Sequence, residues 1–279
     1  MTELQKRVLV AVLGGPVVLM MCYVGGYAFL ALILLMNGLA LWEFYGMYRE
    51  KGIFPYRWPG VLLSTGLILT GYFAPEWLTH ALLGSMALIY LFHLRSGKGL
   101  ASQNTLFTVG GILYITLFLS ALLNLRMHFT GWMPEVADGS AHPGGRFLIV
   151  LLGSIWLCDT AAFHGGKKLG KHKLAPSISP NKTVEGAVFG LIFAVLAFAG
   201  LSRLFLPSLP LPQALISGVL VGTVGQLGDL VESRFKRDAG VKDTSQLLPG
   251  HGGILDRFDS LIFVSPFLWL QYASLGGIG

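Results

Sequence analysis

Long apolar segments with few charges are the feature that most constrains how this chain can fold. Of its 279 residues, 53% are hydrophobic and only 12% are charged, whereas a soluble domain carries about 25% charged residues. A helix that crosses the roughly 30 Å hydrocarbon layer of a membrane needs about 20 mostly apolar residues. The composition therefore excludes an ordinary soluble enzyme and predicts an all-α, polytopic integral membrane protein.

Nine apolar segments satisfy this length rule within a few residues, although some are short enough that eight or ten spans remain possible. No hydrophilic stretch is long enough to form a separate soluble domain. We therefore expect amino-terminal membrane helices over 1–140 and a catalytic membrane region over 141–279, with charged loops at 164–183 and 228–260. The predicted spans are 8–24, 27–42, 61–74, 78–94, 106–123, 147–163, 184–206, 211–227 and 261–273.

The placement of lysine and arginine predicts the orientation of these spans, because cytoplasmic loops are enriched in both residues. With nine spans and a cytoplasmic amino terminus, all but three of the 20 basic residues lie in cytoplasmic segments; the exceptions are Arg126, Arg146 and Arg203. Topology thus accounts for the net charge of +6, and we expect no nucleic-acid partner. The two charged loops would then face the cytoplasm from an inner (plasma) membrane.

Acidic residues are concentrated in the second charged loop and its flanks, which hold six of the 14 in the chain. Carboxylates are hard oxygen ligands of the kind that magnesium binds together with substrate phosphates. A solvated loop of mixed charge is the alternative interpretation. The six are Asp229, Glu232, Asp238, Asp243, Asp256 and Asp259.

Five of the polar residues from 229 to 237 follow one another at helical spacing, so they are expected on one face of a helix that ends near Gly240. They are Asp229, Glu232, Ser233, Lys236 and Arg237. Asp229 follows an apolar run directly, and an ionisable group at the membrane boundary is a candidate functional group because its burial is costly.

The segment after Gly240 is predicted to be an irregular loop that ends in the sequence Pro-Gly-His-Gly-Gly. Glycines around His251 would let backbone N–H groups approach an anion closely, as phosphate-binding loops do. A glycine-rich turn alone is weak support, and a lone histidine is more often a loop residue than a ligand. The residues of interest here are Lys242, Asp243, His251, Gly252, Gly253, Asp256, Arg257 and Asp259.

The first charged loop supplies cations. Ser179 followed by Pro180 and Lys182 resembles a helix start, with serine as the N-cap and proline in the first turn. Such a start would bind an anion, although a simple topological anchor remains the alternative. Asp159 lies inside an apolar run, where aspartate usually has a function, and we expect it in a polar cavity rather than merely hydrogen-bonded to a neighbouring helix.

The run from Ser233 to Asp259, which includes Leu-Pro-Gly-His-Gly-Gly-Ile-Leu-Asp-Arg-Phe-Asp, resembles the signature of the phosphatidate cytidylyltransferases, also called CDP-diglyceride synthases. The resemblance extends to the Trp-x-x-Asp setting of Asp159 and to the Ser-Pro-x-Lys-Thr-x-Glu-Gly sequence that begins at Ser179. It covers most of the carboxyl-terminal half. Asn181 departs from the pattern, because relatives commonly carry a basic residue there. The length of the chain resembles that of bacterial members.

This resemblance implies that CTP and phosphatidate react to give CDP-diacylglycerol and pyrophosphate, in a membrane and with Mg²⁺. It also implies that Asp229 and Asp256 bind the metal and that the protein is a homodimer. The resemblance leaves the presence of a second metal ion open.

We expect in-line attack of the lipid phosphate on the α-phosphorus of CTP, with catalysis by charge neutralisation and positioning. Lys242 and Asp243 join the two metal ligands as candidate catalytic residues. A CTP-dependent lipid kinase is the nearest alternative, and a transporter of an anionic solute is a more distant one. The candidate substrate-binding residues are Asp159, Ser179, Lys182, Ser233, Lys236, Arg237, His251, Gly252, Gly253 and Arg257.

Overall fold

The computed structural model describes residues 3–95, 97–136, 142–247 and 252–276, with side chains from residue 12 onward. Within these residues helices joined by short loops predominate, and one small β-hairpin is present, which agrees with the predicted all-α class. The helices are α1 (Glu3–Val24), α2 (Gly26–Met47), α3 (Arg57–Phe73), α4 (Leu78–His93), α5 (Ala101–Gly111), α6 (Leu117–Trp132), α7 (Pro143–Leu169), α8 (Val184–Phe205), α9 (Leu211–Leu220), α10 (Gln226–Ala239) and α11 (Ile254–Leu275).

Five helical segments in the described residues are long and apolar enough to cross a membrane. Two of them are interrupted by a five-residue π-helical turn, at Ile112–Thr116 between α5 and α6 and at Val221–Gly225 between α9 and α10. The predicted spans coincide with described helices, but the count of nine and the cytoplasmic amino terminus stay predictions. The five segments are Gly26–Lys51, Ala101–Trp132, Pro143–Leu169, Val184–Phe205 and Leu211–Ala239.

The chain divides into two compact units. Unit 1 consists mainly of Leu30–Ser120 and Lys236–Arg257, and unit 2 of Val12–Phe29, Ala121–Phe235 and the chain from Phe258 onward. The functional division that we expect near residue 140 is a separate matter and stays a prediction.

The interior of unit 1 combines apolar packing with a buried chain of hydrogen bonds. Thr116 donates to the Asn37 side-chain oxygen at 2.7 Å, and the Asn37 amide donates to Ser64 at 2.9 Å. The Tyr45 hydroxyl donates to the Thr108 carbonyl at 2.8 Å. Because buried polar groups are costly unless they are paired, these bonds fix how α2, α3, α5 and the π turn pack together.

The helices of unit 2 pack closely at glycines. A Cβ added at Gly186 would lie 2.7 Å from the Ala162 carbonyl oxygen, and one added at Gly222 would lie 2.7 Å from the Leu191 Cα. These glycines therefore allow α7, α8 and the α9–α10 segment to approach one another, as small residues do in membrane helices. Cys158 is buried as a free thiol nearby.

The loop between α7 and α8 folds as an antiparallel hairpin of β1 (Lys173–Ala175) and β2 (Ser179–Thr183). The prediction that Ser179 begins a helix was wrong. Helix α8 begins at Val184, and its N-cap is Thr183, whose hydroxyl accepts from the Gly186 N–H at 3.1 Å. Strand pairing satisfies backbone groups that a helix start would leave open, and Thr183 is an equally suitable cap.

Candidate active site

Unit 2 contains a cavity of about 490 Å³ at one end of α7, α8 and α10, closed in part by the hairpin. Three of the predicted site residues, Asp159 on α7, Lys182 on β2 and Asp229 on α10, line it together with Asn181 and Gln226. The cavity thus brings together residues that lie up to 70 positions apart in the sequence. Asp159 thus lines a cavity, while its role there stays a prediction.

Lys182 and Asp229 form an ion pair across this cavity, with 2.6 Å between Nζ and Oδ2. Ser233, one helical turn after Asp229, donates to its other oxygen at 3.3 Å. The Lys182 and Asp229 side chains are 28% and 37% exposed, so their pairing contributes little to stability because water screens it. The two charges are instead available to a ligand that enters the cavity.

Local packing holds these charges in place. Lys182 directly precedes the Thr183 N-cap, so the start of α8 fixes its backbone. On the opposite wall the Gln226 amide, in the first turn of α10, donates to the Ala187 carbonyl at 3.0 Å. This bond ties α10 to α8 one turn before Asp229.

A second grouping in unit 2 consists of three carboxylates. Oxygens of Asp229, Glu232 and Asp259 lie within 4.8 Å of one another. Glu232 is fully buried, and Asp259 accepts from the Ser260 N–H at 2.6 Å. Three oxygen donors at this separation are the ligand type that a hard divalent cation prefers. Sequence reasoning gave Glu232 no role, although its position three residues after Asp229 placed it on the same helical face.

Asp256, in the first turn of α11, belongs to unit 1, where four groups donate to it. Lys236 Nζ lies 2.7 Å from Oδ1. Oδ2 accepts from the Thr244 hydroxyl at 2.7 Å, from the Thr244 N–H at 2.9 Å and from the Gly253 N–H at 2.7 Å. Burial acts to raise the pKa of this carboxyl, but the bonds and the Lys236 charge outweigh it and lower the pKa below its usual value. Asp256 is therefore held as a carboxylate.

Glu43 on α2 was assigned no role from the sequence, yet it lies in the same network of unit 1. It is buried and accepts from the Ile254 N–H at 3.0 Å and from the Leu255 N–H at 2.9 Å. Its position at the end of an apolar run was the available signal, because acidic residues at membrane depth are seldom incidental.

Comparison with known proteins identifies the family. The model of the cytidylyltransferase family matches residues 5–275. The chain belongs to the cytidylyltransferase family. It is accordingly a nucleotidyltransferase.

Three curated relatives are similar over nearly their whole length, and each is named phosphatidate cytidylyltransferase. The Synechocystis protein is 37% identical over 95% of this chain and 94% of its own. The Bacillus subtilis protein is 36% identical over 98% and 99%. The Staphylococcus saprophyticus protein is 33% identical over 95% and 97%.

The other residues selected from the signature of this cytidylyltransferase take no part in the contacts described so far. Lys242 and Asp243 are exposed in the loop after α10, Arg257 is exposed on α11, and His251 lies outside the described residues. Arg237 donates to the Val241 carbonyl at 3.1 Å. Their roles at a substrate, like the pairing of Asp229 with Asp256 on one metal ion, stay predictions.

Gly252 and Gly253 of the signature face Asp256 and its neighbours. Gly252 has a left-handed φ of 80°, and a Cβ there would lie 2.8 Å from Asp256 Oδ2. A Cβ at Gly253 would overlap the Thr244 hydroxyl and the Glu43 carboxylate. Close packing around the Asp256 and Glu43 carboxylates therefore explains why both positions are occupied by glycine.

Proposed function

We propose that the protein transfers the cytidylyl group of CTP to phosphatidate, which yields CDP-diacylglycerol and pyrophosphate. The observation that carries this proposal is the family match over residues 5–275, together with relatives named for this activity over nearly their full length. The cavity of unit 2 is compatible with it, because a cation and carboxylates at the end of membrane helices suit a reaction between a lipid phosphate and a nucleotide.

In the proposed reaction, an oxygen of the phosphatidate phosphate attacks the α-phosphorus of CTP. The bond from the α-phosphorus to the bridging oxygen of the β-phosphate breaks, and pyrophosphate leaves with that electron pair. The nucleophile is already an anion, so no side chain has to remove a proton. The protein must instead align the reactants and offset negative charge.

Lys182 is the cation best placed for this in unit 2. Its Nζ is held at the cavity by Asp229, and its partial exposure leaves it accessible to a phosphate. In our proposal it binds a phosphate oxygen of CTP by a charge-assisted hydrogen bond. Asp159, on the same cavity, orients the bound substrate. The signature cations Lys236, Arg237, Lys242 and Arg257 are proposed to bind phosphates as well.

The donor set in unit 2 fits a magnesium ion. Asp229, Glu232 and Asp259 offer closely spaced carboxylate oxygens, and these three residues would hold the metal. When bound, Mg²⁺ neutralises charge on the triphosphate. We also propose that Asp256 is a metal ligand, as the family signature implies. The proposal leaves open whether a second metal ion binds.

We propose further that the enzyme is a homodimer in the bacterial inner membrane, with its site facing the cytoplasm where CTP is made. The enrichment of basic residues in the two charged loops supports this orientation. Light scattering of the purified protein in detergent tests the dimer, and labelling of cysteines introduced into the 164–183 loop from either side of the membrane tests the orientation.

Product analysis tests the proposed reaction. Purified protein is incubated with Mg²⁺, phosphatidate and CTP labelled in either the α- or the γ-phosphate, and the lipid fraction is extracted. We expect lipid-bound label from α-labelled CTP only, together with pyrophosphate. Label from γ-labelled CTP in lipid, with CDP as the other product, would instead identify a lipid kinase.

A further inference from the structure

We propose that Glu43 is a positioning residue for the transfer reaction: it fixes the first turn of α11 and, through Thr244, the carboxylate of Asp256. The inference depends on the role of Asp256 in the proposed function. All of the residues that carry it lie in unit 1.

Glu43 is only 4% exposed, and each of its two oxygens accepts one backbone N–H and one hydroxyl. Oε1 accepts from the Ile254 N–H at 3.0 Å and from Ser245 at 2.7 Å. Oε2 accepts from the Leu255 N–H at 2.9 Å and from Thr244 at 3.1 Å. The positive end of the α11 dipole and these four donors offset the cost of burying the charge.

These contacts cap α11 from a distant part of the chain. The first N–H groups of a helix have no partner within it, and a side chain just before the helix usually accepts one of them. Gly253 occupies that position and has no side chain to do so. Asp256 accepts the Gly253 N–H at 2.7 Å, and Glu43 accepts those of Ile254 and Leu255. The helix start is thus held by two carboxylates, one of which lies more than 200 residues earlier in the sequence.

Thr244 connects the two carboxylates. Its hydroxyl lies 3.1 Å from Glu43 Oε2 and 2.7 Å from Asp256 Oδ2. A hydroxyl has a single proton, so the two anions share one donor, and the position of Thr244 depends on both. The Thr244 N–H also binds Asp256 at 2.9 Å. Loss of the Glu43 charge would therefore release Thr244 and widen the range of orientations of Asp256.

The pattern of donors requires a carboxylate at position 43. A glutamine has one acceptor oxygen and one amide nitrogen. Whichever way the glutamine amide is turned, its nitrogen would face the N–H of Ile254 or that of Leu255. A backbone N–H can only donate, so it cannot accept a hydrogen bond from this nitrogen. Glu43→Gln therefore keeps the size of the side chain but leaves one end of the cap with two opposed donors. Such an unsatisfied buried donor disturbs the α11 start, although the substitution adds no bulk.

The test compares Glu43→Gln with a matched control, Glu50→Gln, in which the same substitution is made at an exposed position of unit 1. The full-length proteins are purified in detergent, their unfolding temperatures are measured, and kcat, KM for phosphatidate and the half-activating Mg²⁺ concentration are determined. We expect Glu43→Gln to lower kcat about tenfold or more and to raise the half-activating Mg²⁺ concentration severalfold, as loss of an outer partner of a ligand does. KM for phosphatidate should stay close to that of the wild type. Glu50→Gln should match the wild type throughout.

A second pair of variants keeps the test decisive if Glu43→Gln fails to fold. Thr244→Val removes only the shared hydroxyl and should reproduce the fall in kcat and the shift in Mg²⁺ dependence. Thr244→Ser keeps the hydroxyl and should restore both. A folded Glu43→Gln or Thr244→Val protein with wild-type kcat and Mg²⁺ dependence would overturn the inference.

The variant Asp256→Asn separates this inference from the proposed function. If Asp256→Asn is inactive while Glu43→Gln and Thr244→Val match the wild type, only the positioning role of Glu43 is wrong. If Asp256→Asn keeps full turnover, the proposed role of Asp256 is wrong, and the positioning role of Glu43 falls with it.

Discussion

Lys182 Nζ lies 2.6 Å from Asp229 Oδ2 at the cavity of unit 2, and in the proposed function this cation and carboxylate bind a nucleotide phosphate and its metal ion. The pair is partly exposed, so its removal should affect substrate binding far more than stability. We predict that Lys182→Met raises KM for CTP by roughly tenfold or more, the cost of a charge-assisted hydrogen bond. Steady-state kinetics at varied CTP concentration measures this.

Lys173→Met is the control for that substitution, because Lys173 lies on the same hairpin and is exposed. It should leave KM for CTP unchanged. Equal increases in both variants would show that the general positive charge of the hairpin, rather than the placement of Lys182, determines binding.

The three clustered carboxylates of unit 2 predict that losing one of them changes how activity depends on the Mg²⁺ concentration. Glu232→Gln should raise the Mg²⁺ concentration that gives half-maximal activity by about tenfold, because it removes one charged oxygen donor from the group. Asp238→Asn, at an exposed position later on α10, is the matched control and should have no effect. A Glu232→Gln protein with unchanged Mg²⁺ dependence would exclude Glu232 from the metal site.

Gly253 provides a prediction about stability. A methyl group there would overlap Thr244 and Glu43, so Gly253→Ala should lower the free energy of unfolding by ~1–3 kcal/mol, the usual cost of overpacking. Gly66→Ala is the control, because a Cβ at Gly66 on α3 meets no atom within 4 Å and alanine favours helix. Thermal unfolding in detergent should show a lower midpoint for the first variant and an equal or higher midpoint for the second.

The lowered pKa of Asp256 predicts how stability depends on pH. The unfolded-state pKa of an aspartate is about 3.9, and that of the folded state lies below it. The carboxylate therefore stabilises the fold above about pH 4, and this contribution is lost as the pH falls through the folded-state pKa. The difference in unfolding free energy between wild type and Asp256→Asn should be constant from pH 7 to pH 5 and shrink below pH 4. A constant difference down to pH 2 would contradict this.

Much of the helical framework could be predicted from the sequence, because the length of an apolar segment reports directly on whether it can form a membrane helix. The end of α10 at Ala239, before Gly240 with a left-handed φ of 81°, is where the sequence predicted a stop. The error at Ser179 arose because Ser-Pro is compatible with both a helix start and a short strand, and only the pairing of Ser179 with Ala175 decides between them.

The candidate site was less predictable, since its contacts join distant parts of the chain. Asp159, Lys182 and Asp229 were each selected from local pattern, and the structure places all three on one cavity; their roles stay predictions. No local pattern could reveal that Glu43 accepts two N–H groups of α11, because the partners are more than 200 residues away. The role of Gly253 likewise depends on the neighbours that a Cβ would meet.

The most direct test of the central claim, that signature carboxylates carry a metal-dependent cytidylyl transfer, is turnover by Asp229→Asn. Purified variant and wild type are supplied with phosphatidate, Mg²⁺ and α-labelled CTP, and labelled CDP-diacylglycerol is measured alongside the unfolding temperature. We predict that Asp229→Asn forms no detectable product while its unfolding temperature and oligomeric state match those of the wild type. Product formation by this variant at the wild-type rate would contradict the account.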